Sequence, residues 1–535
     1  MKVSKIYYNF LKQLGYKEVF GLPGSYIMPI WQEFGEDIKI VLSRHENGAV
    51  FMADGWARNN SLPGIVLTTI GPGLTNAITG ITCAYQDSVP LIIISGYVPT
   101  TMNGKGCFQN SDKNDRGFMP EELLSSITKA TFLPQTADEA VKMLGEAYSI
   151  AMSGRKGPVH ISMPMDIPNM ESDVEVQINI DTSVKDIKLS DKFEKLVANS
   201  KRPIFFVGNG CFLANATEEL NEVSKKYNIP IVSSIKGTSA CTIENKRYLG
   251  ITGNVIKDKL SKYLKQYDAD LVIALGSSLS VNSCKDFEDL FGNAKIIRVD
   301  IDENQFNNYR QADVNIKMDV KDFLEQMNHL DLQKKENNID FKIDEEIPSE
   351  EDNMFSKVAD YMYRNTSENT LFIPDAGNHW LDILYWCYPK QRLGILTNAG
   401  LASMGHAIGA SIGLKIANKE KNVICITGDG SFMMSGMEIS EAISQKLDIT
   451  FIIVNNSSLG RARIYQEMTD GKVISTTFKD SNFACITRAL GAKAKSAYSL
   501  EEFKDIFETM KNETGVKVIE VVVETQDCPK SLRRE

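Results

Sequence analysis

At 535 residues, with 43% apolar and 24% charged residues, the chain is too long for one hydrophobic core and too ordinary in composition for a fibrous or disordered protein. Two to four globular domains are therefore expected. A formal net charge of −10 argues against nucleic acid or an anionic membrane as the main partner and favours a small-molecule substrate.

The opening stretch MKVSKIYYNFLKQLGY reads as an amphipathic helix rather than a signal peptide. No apolar run approaches the ~20 residues needed to span a bilayer. The cysteines at 83, 107, 211, 241, 284, 387, 425, 485 and 528 are scattered, odd in number and without a CxxC pair, so they suggest neither a disulfide framework nor a zinc knuckle. A reducing, cytoplasmic setting with no membrane attachment is the expectation.

Residues 1–170 alternate β-branched runs with helical stretches, the pattern of parallel βα units: KIVL ending at Leu42, GIVLTTIG ending at Gly71, and VPLIIISG ending at Gly96. The middle third repeats the style with PIFFVGNG (203–210), a helix around Thr217–Tyr227, IPIVSSI (229–235), ADLVIALGSSL (269–279) and AKIIRVDID (294–302). The last third adds LFIPDAG (371–377), NVICITGDG (422–430), ITFIIVNN (449–456) and VKVIEVVVE (515–523). Charged, turn-rich stretches at 171–191 and 331–352 read as linkers. Three doubly wound α/β domains follow, at 1–170, 188–330 and 353–535.

The most informative residues are Gly428-Asp429-Gly430-Ser431, at the end of one predicted strand, and Asn455-Asn456, at the end of the next. In a doubly wound sheet, ligands bind outside the carboxyl ends of strands, so Asp429 and Asn456 arrive at the same rim. An octahedral Mg²⁺ takes such hard oxygens, one carboxylate and one amide, with a backbone carbonyl and diphosphate oxygens completing the shell. Gly430 and Ser431 open a helix whose free N–H groups suit the remaining phosphate charge. Gly-Asp-Gly alone would be an ordinary strand-end turn; the pairing with Asn456 makes the metal reading the stronger one.

The run GDGSFMMSGMEISEAISQKLDITFIIVNN resembles the thiamine diphosphate motif of the acetolactate synthase and pyruvate decarboxylase superfamily. The resemblance implies that Asp429 and Asn456 are the side-chain metal ligands and that Ser458 supplies a backbone oxygen. It identifies the three domains as a pyrimidine-binding domain, a central Rossmann-like domain and a diphosphate domain. It also implies a homodimer or homotetramer with active sites at the subunit interface. In SRHENGAVFMADGWAR (43–58), Glu46 matches the glutamate that contacts the cofactor's aminopyrimidine and activates the thiazolium C2. Such a carboxyl works best desolvated; the bland alternative is an acidic residue favouring a helix N-terminus.

By the same resemblance, Pro23, Gly24, Gly73 and Asn76, the last two in GPGLTN (71–76), line the cofactor. NAGLASMGHAIGASIG (398–413) supplies the Ala402 carbonyl for the pyrimidine amine, at a position commonly Gly in acetolactate synthases, and Met404 as the bulky side chain that keeps the cofactor bent. CFQN (107–110) matches the Phe-Gln pair near the substrate, here Phe108 and Gln109, and Lys129 is shared as well.

The His-His pair that pyruvate decarboxylases carry near 107–110 is missing, and the active-site histidine of benzoylformate decarboxylase aligns with Thr69. Without such an acid to protonate the carbanion, ligation to a second carbonyl is favoured over release of an aldehyde. His379 and His406 remain alternative acids.

Two departures from the family stand out. Flavin-containing acetolactate synthases carry Arg-Phe-Asp-Asp where this chain has SSLSVNS (277–283), which leaves FAD binding open. SSLGRARIYQE (457–467) places Arg461 and Arg463 where Met and Val sit, and Tyr465 at the substrate-gating Trp. Two arginines at a cofactor rim invite negative charge on the acceptor or on the donor's distal end, as in a dicarboxylic oxo acid, an acyl-CoA or a nucleotide-linked keto sugar; a solvated helix face is the even alternative.

Overall fold

The computed structural model describes residues 1–532 apart from 36, 110–116, 182–188, 282, 284–286, 309, 338, 344–345 and 470. Asn110 of the CFQN segment and Cys284 lie outside the described residues. The chain builds three sheets in which every strand pairing is parallel, one in each third of the sequence.

The first sheet comprises β1 (Glu18–Gly21), β2 (Lys39–Leu42), β3 (Gly64–Thr68), β4 (Leu91–Tyr97), β5 (Thr131–Phe132) and β6 (Pro158–Pro164), in the order β2-β1-β3-β4-β6-β5. The second comprises β7 (Pro203–Val207), β8 (Ile231–Ser233), β9 (Tyr248–Ile251), β10 (Leu271–Leu275), β11 (Lys295–Asp300) and β12 (Val314–Lys317), in the order β12-β11-β10-β7-β8-β9. The third comprises β13 (Thr370–Pro374), β14 (Asn422–Gly428), β15 (Ile449–Asn455), β16 (Lys493–Ala497) and β17 (Lys517–Val522), in the order β13-β14-β15-β17-β16.

Central strands such as LIIIS in β4 and ITFIIVN in β15 are buried along their whole length, because helices cover both faces and β-branched side chains fit the pleat. The N-terminal amphipathic stretch forms a helix over Val3–Gln13, and the predicted helix at Thr217–Tyr227 is present with those bounds. GIVLTTIG is strand only to Thr68; the chain then turns at Gly71, whose φ of 63° lies in the left-handed region. Within the stretch 331–352, the buried Lys335 docks on the central domain, donating to the carbonyls of Val197, Ala198 and Ser200, while Glu346 accepts Lys530 of the third.

The first and third domains meet through two helices, Glu46–Asn59 and His406–Ala417, which cross at glycines. A Cβ on Gly413 would stand 1.8 Å from the Met52 carbonyl oxygen, and one on Gly55 would stand 2.0 Å from that of Ala410. Backbones approach this closely only without side chains between them. Beside the crossing, buried Asp54 receives Arg58 at 2.7 Å and His406 Nε2 at 3.0 Å, while Asp87 receives Arg58 at 2.9 Å and Lys236 at 3.2 Å. Lys236 comes from the central domain, so one charge network ties all three domains together.

Candidate active site

Strands β14 and β15 are neighbours, with Gly428 paired to Val454, so Asp429 and Asn456 leave the same edge of the third sheet side by side. Asp429 begins a helix (Asp429–Ser435) and folds its carboxylate back across the rim. Its Oδ1 accepts the Gly430 N–H at 2.7 Å, and its Oδ2 accepts the N–H groups of Asn456 at 3.0 Å and Ser458 at 3.4 Å. Burial nevertheless pushes this carboxyl up to about 6, because the backbone bonds only partly replace lost water.

A cavity of about 690 Å³ opens beside it, lined among others by Asn378, His379, Met404, Gly430, Ser431 and Arg461. Both polar side-chain atoms of Asn378, the Ser431 hydroxyl and His379 Nε2 are buried there without a hydrogen-bond partner among the described residues. Buried polar groups left unpaired are costly and mark a place where a ligand completes the bonding. A Cβ on Gly430 would stand 2.9 Å from Leu459 and 3.1 Å from Met404, so glycine keeps open the space between those two side chains.

These residues fit thiamine diphosphate and a divalent cation. Asp429, the Asn456 amide oxygen and the Ser458 carbonyl would offer a divalent cation hard oxygens, and the unpaired Ser431 hydroxyl beside them would suit a phosphate oxygen. The turn before His406 carries Ala402 at a φ of 56°. That left-handed conformation is one a glycine adopts without strain and an alanine does not.

Glu46, Gly73, Asn76, Phe108 and Gln109 do not line the Asp429 cavity of the same chain. They gather instead at the carboxyl ends of the first sheet. Glu46 is buried at the first position of its helix and accepts the Asn76 amide at 3.0 Å. Gly73 and Gly24 both pack against Thr69, where any Cβ would collide with its side chain, and Pro23 is exposed beside them. Gln109, with a φ of 56°, lies over Gly71, and the carbonyl of the exposed Phe108 accepts the Tyr26 hydroxyl at 3.3 Å. The residues expected at the cofactor thus fall into two separate groups within one chain.

The five expected substrate residues divide, Phe108 standing with the first sheet. Arg461 and Tyr465 line the Asp429 cavity, whereas Arg463 turns inward, buried, with Nη1 bonded to Glu467 at 2.5 Å. Lys129 donates to the carbonyls of Ile150 and Ser153 and edges a different cleft of about 970 Å³ between the domains; burial pulls its amine down to about 8. That cleft also presents Arg155, Lys156, Lys236 and Lys317, with Ser278 and Ser280 at the end of β10.

His379 lines the Asp429 cavity but is held neutral by burial, which lowers it to about 4. His406 is committed to Asp54. Asn378 was not among the sequence candidates; the strand-end PDAG followed by Asn-His was the available signal, a turn leading into a helix (Asn378–Trp386) at the sheet's ligand-binding edge.

Comparison with known proteins places the chain in a family. Residues 1–116 match the thiamine pyrophosphate enzyme N-terminal TPP binding domain, 191–327 its central domain and 375–521 its C-terminal TPP binding domain. The chain is 31% identical to the acetolactate synthase isozyme 3 large subunit of Escherichia coli, over 85% of this chain and 82% of that protein. It is 29% identical to the isozyme 1 large subunit of the same organism, over 97% and 93% of the two chains. A thiamin diphosphate-dependent enzyme from Mycobacterium smegmatis shares the fold, with a TM-score of 0.83 and 19% identity over 98% of this chain and 99% of that one. With all three domain matches in order and relatives aligned along nearly the whole length, the chain belongs to the thiamine pyrophosphate enzyme family and is of the acetolactate synthase type.

Proposed function

We propose that this enzyme requires Mg²⁺ with thiamine diphosphate, decarboxylates a 2-oxo acid, pyruvate first among them, and joins the remaining acyl unit to a second carbonyl. The observation that carries the reading is the convergence of Asp429, Asn456 and Ser458 on one cavity with unpaired polar groups. When bound, thiamine diphosphate supplies the electron sink that decarboxylation of a 2-oxo acid needs. In this reading Asp429, Asn456 and Ser458 hold the metal, Ser431 and Asn378 bond the diphosphate, Met404 and Ala402 orient the ring system, and Glu46 moves the activating proton.

His379, held neutral by burial, and His406, engaged with Asp54, support ligation over aldehyde release, since neither is placed as a cationic acid beside the reacting carbon. Exposed Arg461 supports an acceptor bearing a carboxylate or phosphate.

The two half-sites within one chain support a homodimer or homotetramer, in which Glu46 of one copy faces the metal residues of another. Met433, Met434 and Met437, between 49% and 64% exposed on and just after the Asp429 helix, form the apolar face such a partner would cover. The pyrimidine-binding, central and diphosphate domains then span 1–170, 188–330 and 353–535. Buried free thiols at Cys83, Cys211, Cys241, Cys387 and Cys425 support a reducing cytoplasm. Among the described residues no helix is long and apolar enough to cross a membrane. The cationic central cleft suits an anionic ligand, and the visible spectrum of the purified protein reports directly on a flavin.

The deciding experiment supplies thiamine diphosphate, Mg²⁺ and pyruvate, with and without dicarboxylic and phosphorylated carbonyl acceptors, and follows CO₂ and products. An acetolactate-type product, or acceptor-dependent CO₂ release, upholds the reading. Free acetaldehyde as the sole product replaces it with simple decarboxylation.

A further inference from the structure

The turn that delivers Glu46 is held by a residue from the opposite end of the chain. Helix starts leave backbone N–H groups without partners, and here those of Arg44 and His45 point at the buried carboxylate of Glu438. Oε1 accepts Arg44 N at 3.1 Å and His45 N at 3.0 Å, and Oε2 accepts Arg44 N at 3.0 Å. The Arg44 side chain closes the clamp from the same helical segment, donating to Ser440 Oγ at 2.8 Å and pairing with Glu441 at 3.2 Å.

Gly48 makes room for the carboxylate: a Cβ there would lie 2.1 Å from Glu438 Oε1. Burial pushes the Glu438 carboxyl up to about 7, and the amides of Arg44 and His45 with the Arg44 charge oppose that rise. A costly buried carboxylate has therefore been spent on fixing one turn.

We infer that Glu438 is a positioning residue for Glu46, tying the segment that begins at the metal-site Asp429 to the carboxylate that activates the cofactor. The inference rests on the proposed role of Glu46. Glu438 does not touch the reacting atoms; it fixes the backbone one residue before Glu46, while Asn76 holds the side chain. Binding events at the Asp429 helix, only nine positions before Glu438, are thereby relayed to the Glu46 turn.

The test uses the full-length protein, with Glu46→Gln, Glu438→Gln, Gly48→Ala and the Glu46→Gln/Glu438→Gln pair. The first readout needs no cofactor: backbone amide exchange of the peptide spanning 43–50 should quicken in Glu438→Gln and Gly48→Ala. The second is hydrogen–deuterium exchange at C2 of bound thiamine diphosphate, which needs no substrate. It should slow about 10- to 100-fold in both variants, because small misplacements of a proton-transfer group cost that much, while affinity for thiamine diphosphate with Mg²⁺ stays within about threefold.

The paired variant should be no slower than Glu46→Gln alone, since a residue acting only through Glu46 has nothing further to lose. Additive loss in the pair, or wild-type C2 exchange in Glu438→Gln, overturns the inference. Wild-type C2 exchange in Glu46→Gln overturns the reading of the site itself. Should Glu438→Gln fail to fold, Gly48→Ala displaces the carboxylate without deleting it and carries the same expectations.

Discussion

Replacing Gly413 by Ala tests whether the crossing of helices Glu46–Asn59 and His406–Ala417 sets the geometry of both half-sites. The new Cβ would sit 1.8 Å from the Met52 carbonyl oxygen, against an ordinary contact of roughly 3.2 Å, so the helices must part by more than ~1 Å at that point. No rotamer change can relieve the contact, because both atoms belong to main chains or to Cβ. Overpacking of this kind costs about 1–3 kcal/mol, and the better helix propensity of Ala returns at most about 1 kcal/mol.

The variant should therefore lose about 1–2 kcal/mol in denaturant unfolding. It should also lose turnover disproportionately, since Glu46 opens one helix and the Ala402–Met404 turn leads into the other. Gly55→Ala meets the Ala410 carbonyl at 2.0 Å across the same crossing. Once the helices have parted for one methyl, the second costs little, so the double variant should be less destabilised than the sum of the singles by at least ~0.5 kcal/mol. Strict additivity, or wild-type stability and turnover in Gly413→Ala, would refute the reasoning.

Asp429→Asn should abolish metal-dependent binding and flatten the pH dependence of stability. Its carboxyl lies at about 6 when folded against 3.8 otherwise, so the folded state binds the proton more tightly and stability is lost as pH rises from about 4 to about 6. The full loss is about 3 kcal/mol. Urea unfolding from pH 4 to pH 8 should show that slope in the wild type and not in the variant. Ala402→Gly should raise the melting temperature slightly, because a left-handed Ala costs about 1–2 kcal/mol and the extra chain entropy of Gly offsets only part of it. Arg461→Ala should raise KM for an anionic acceptor about 10- to 100-fold, the worth of a charge-assisted bond. Arg463→Ala should instead lower stability with KM unchanged, since its guanidinium is buried and bonded to Glu467.

Much of the third domain was legible from sequence. A β-branched run ending in Gly-Asp-Gly and another ending in Asn-Asn dictate two adjacent buried strands, and parallel geometry brings both ends to one edge. The strands that lack such runs were harder to read. Glu18–Gly21 and Lys493–Ala497 contain only four and five residues with Glu, Gly or Lys among them, and they owe their pairing to neighbours rather than to their own propensity. Arg461 and Arg463 look equivalent in GRAR, yet positions two apart on a helix face different ways, and only the packed helix decides which meets the cavity.

The order of residues along the chain determined the three parallel α/β units, the neighbouring strand ends that carry Asp429 and Asn456, and the family, because each rests on local patterns that no distant contact has to supply. Tertiary structure alone decided that the Glu438 carboxylate meets the amides of Arg44 and His45 beside Gly48, that Glu46 stands outside the Asp429 cavity of its own chain, and that glycines let two helices touch. Those facts depend on atoms hundreds of residues apart meeting at bonding distance, and nothing in the spacing of either segment encodes its partner.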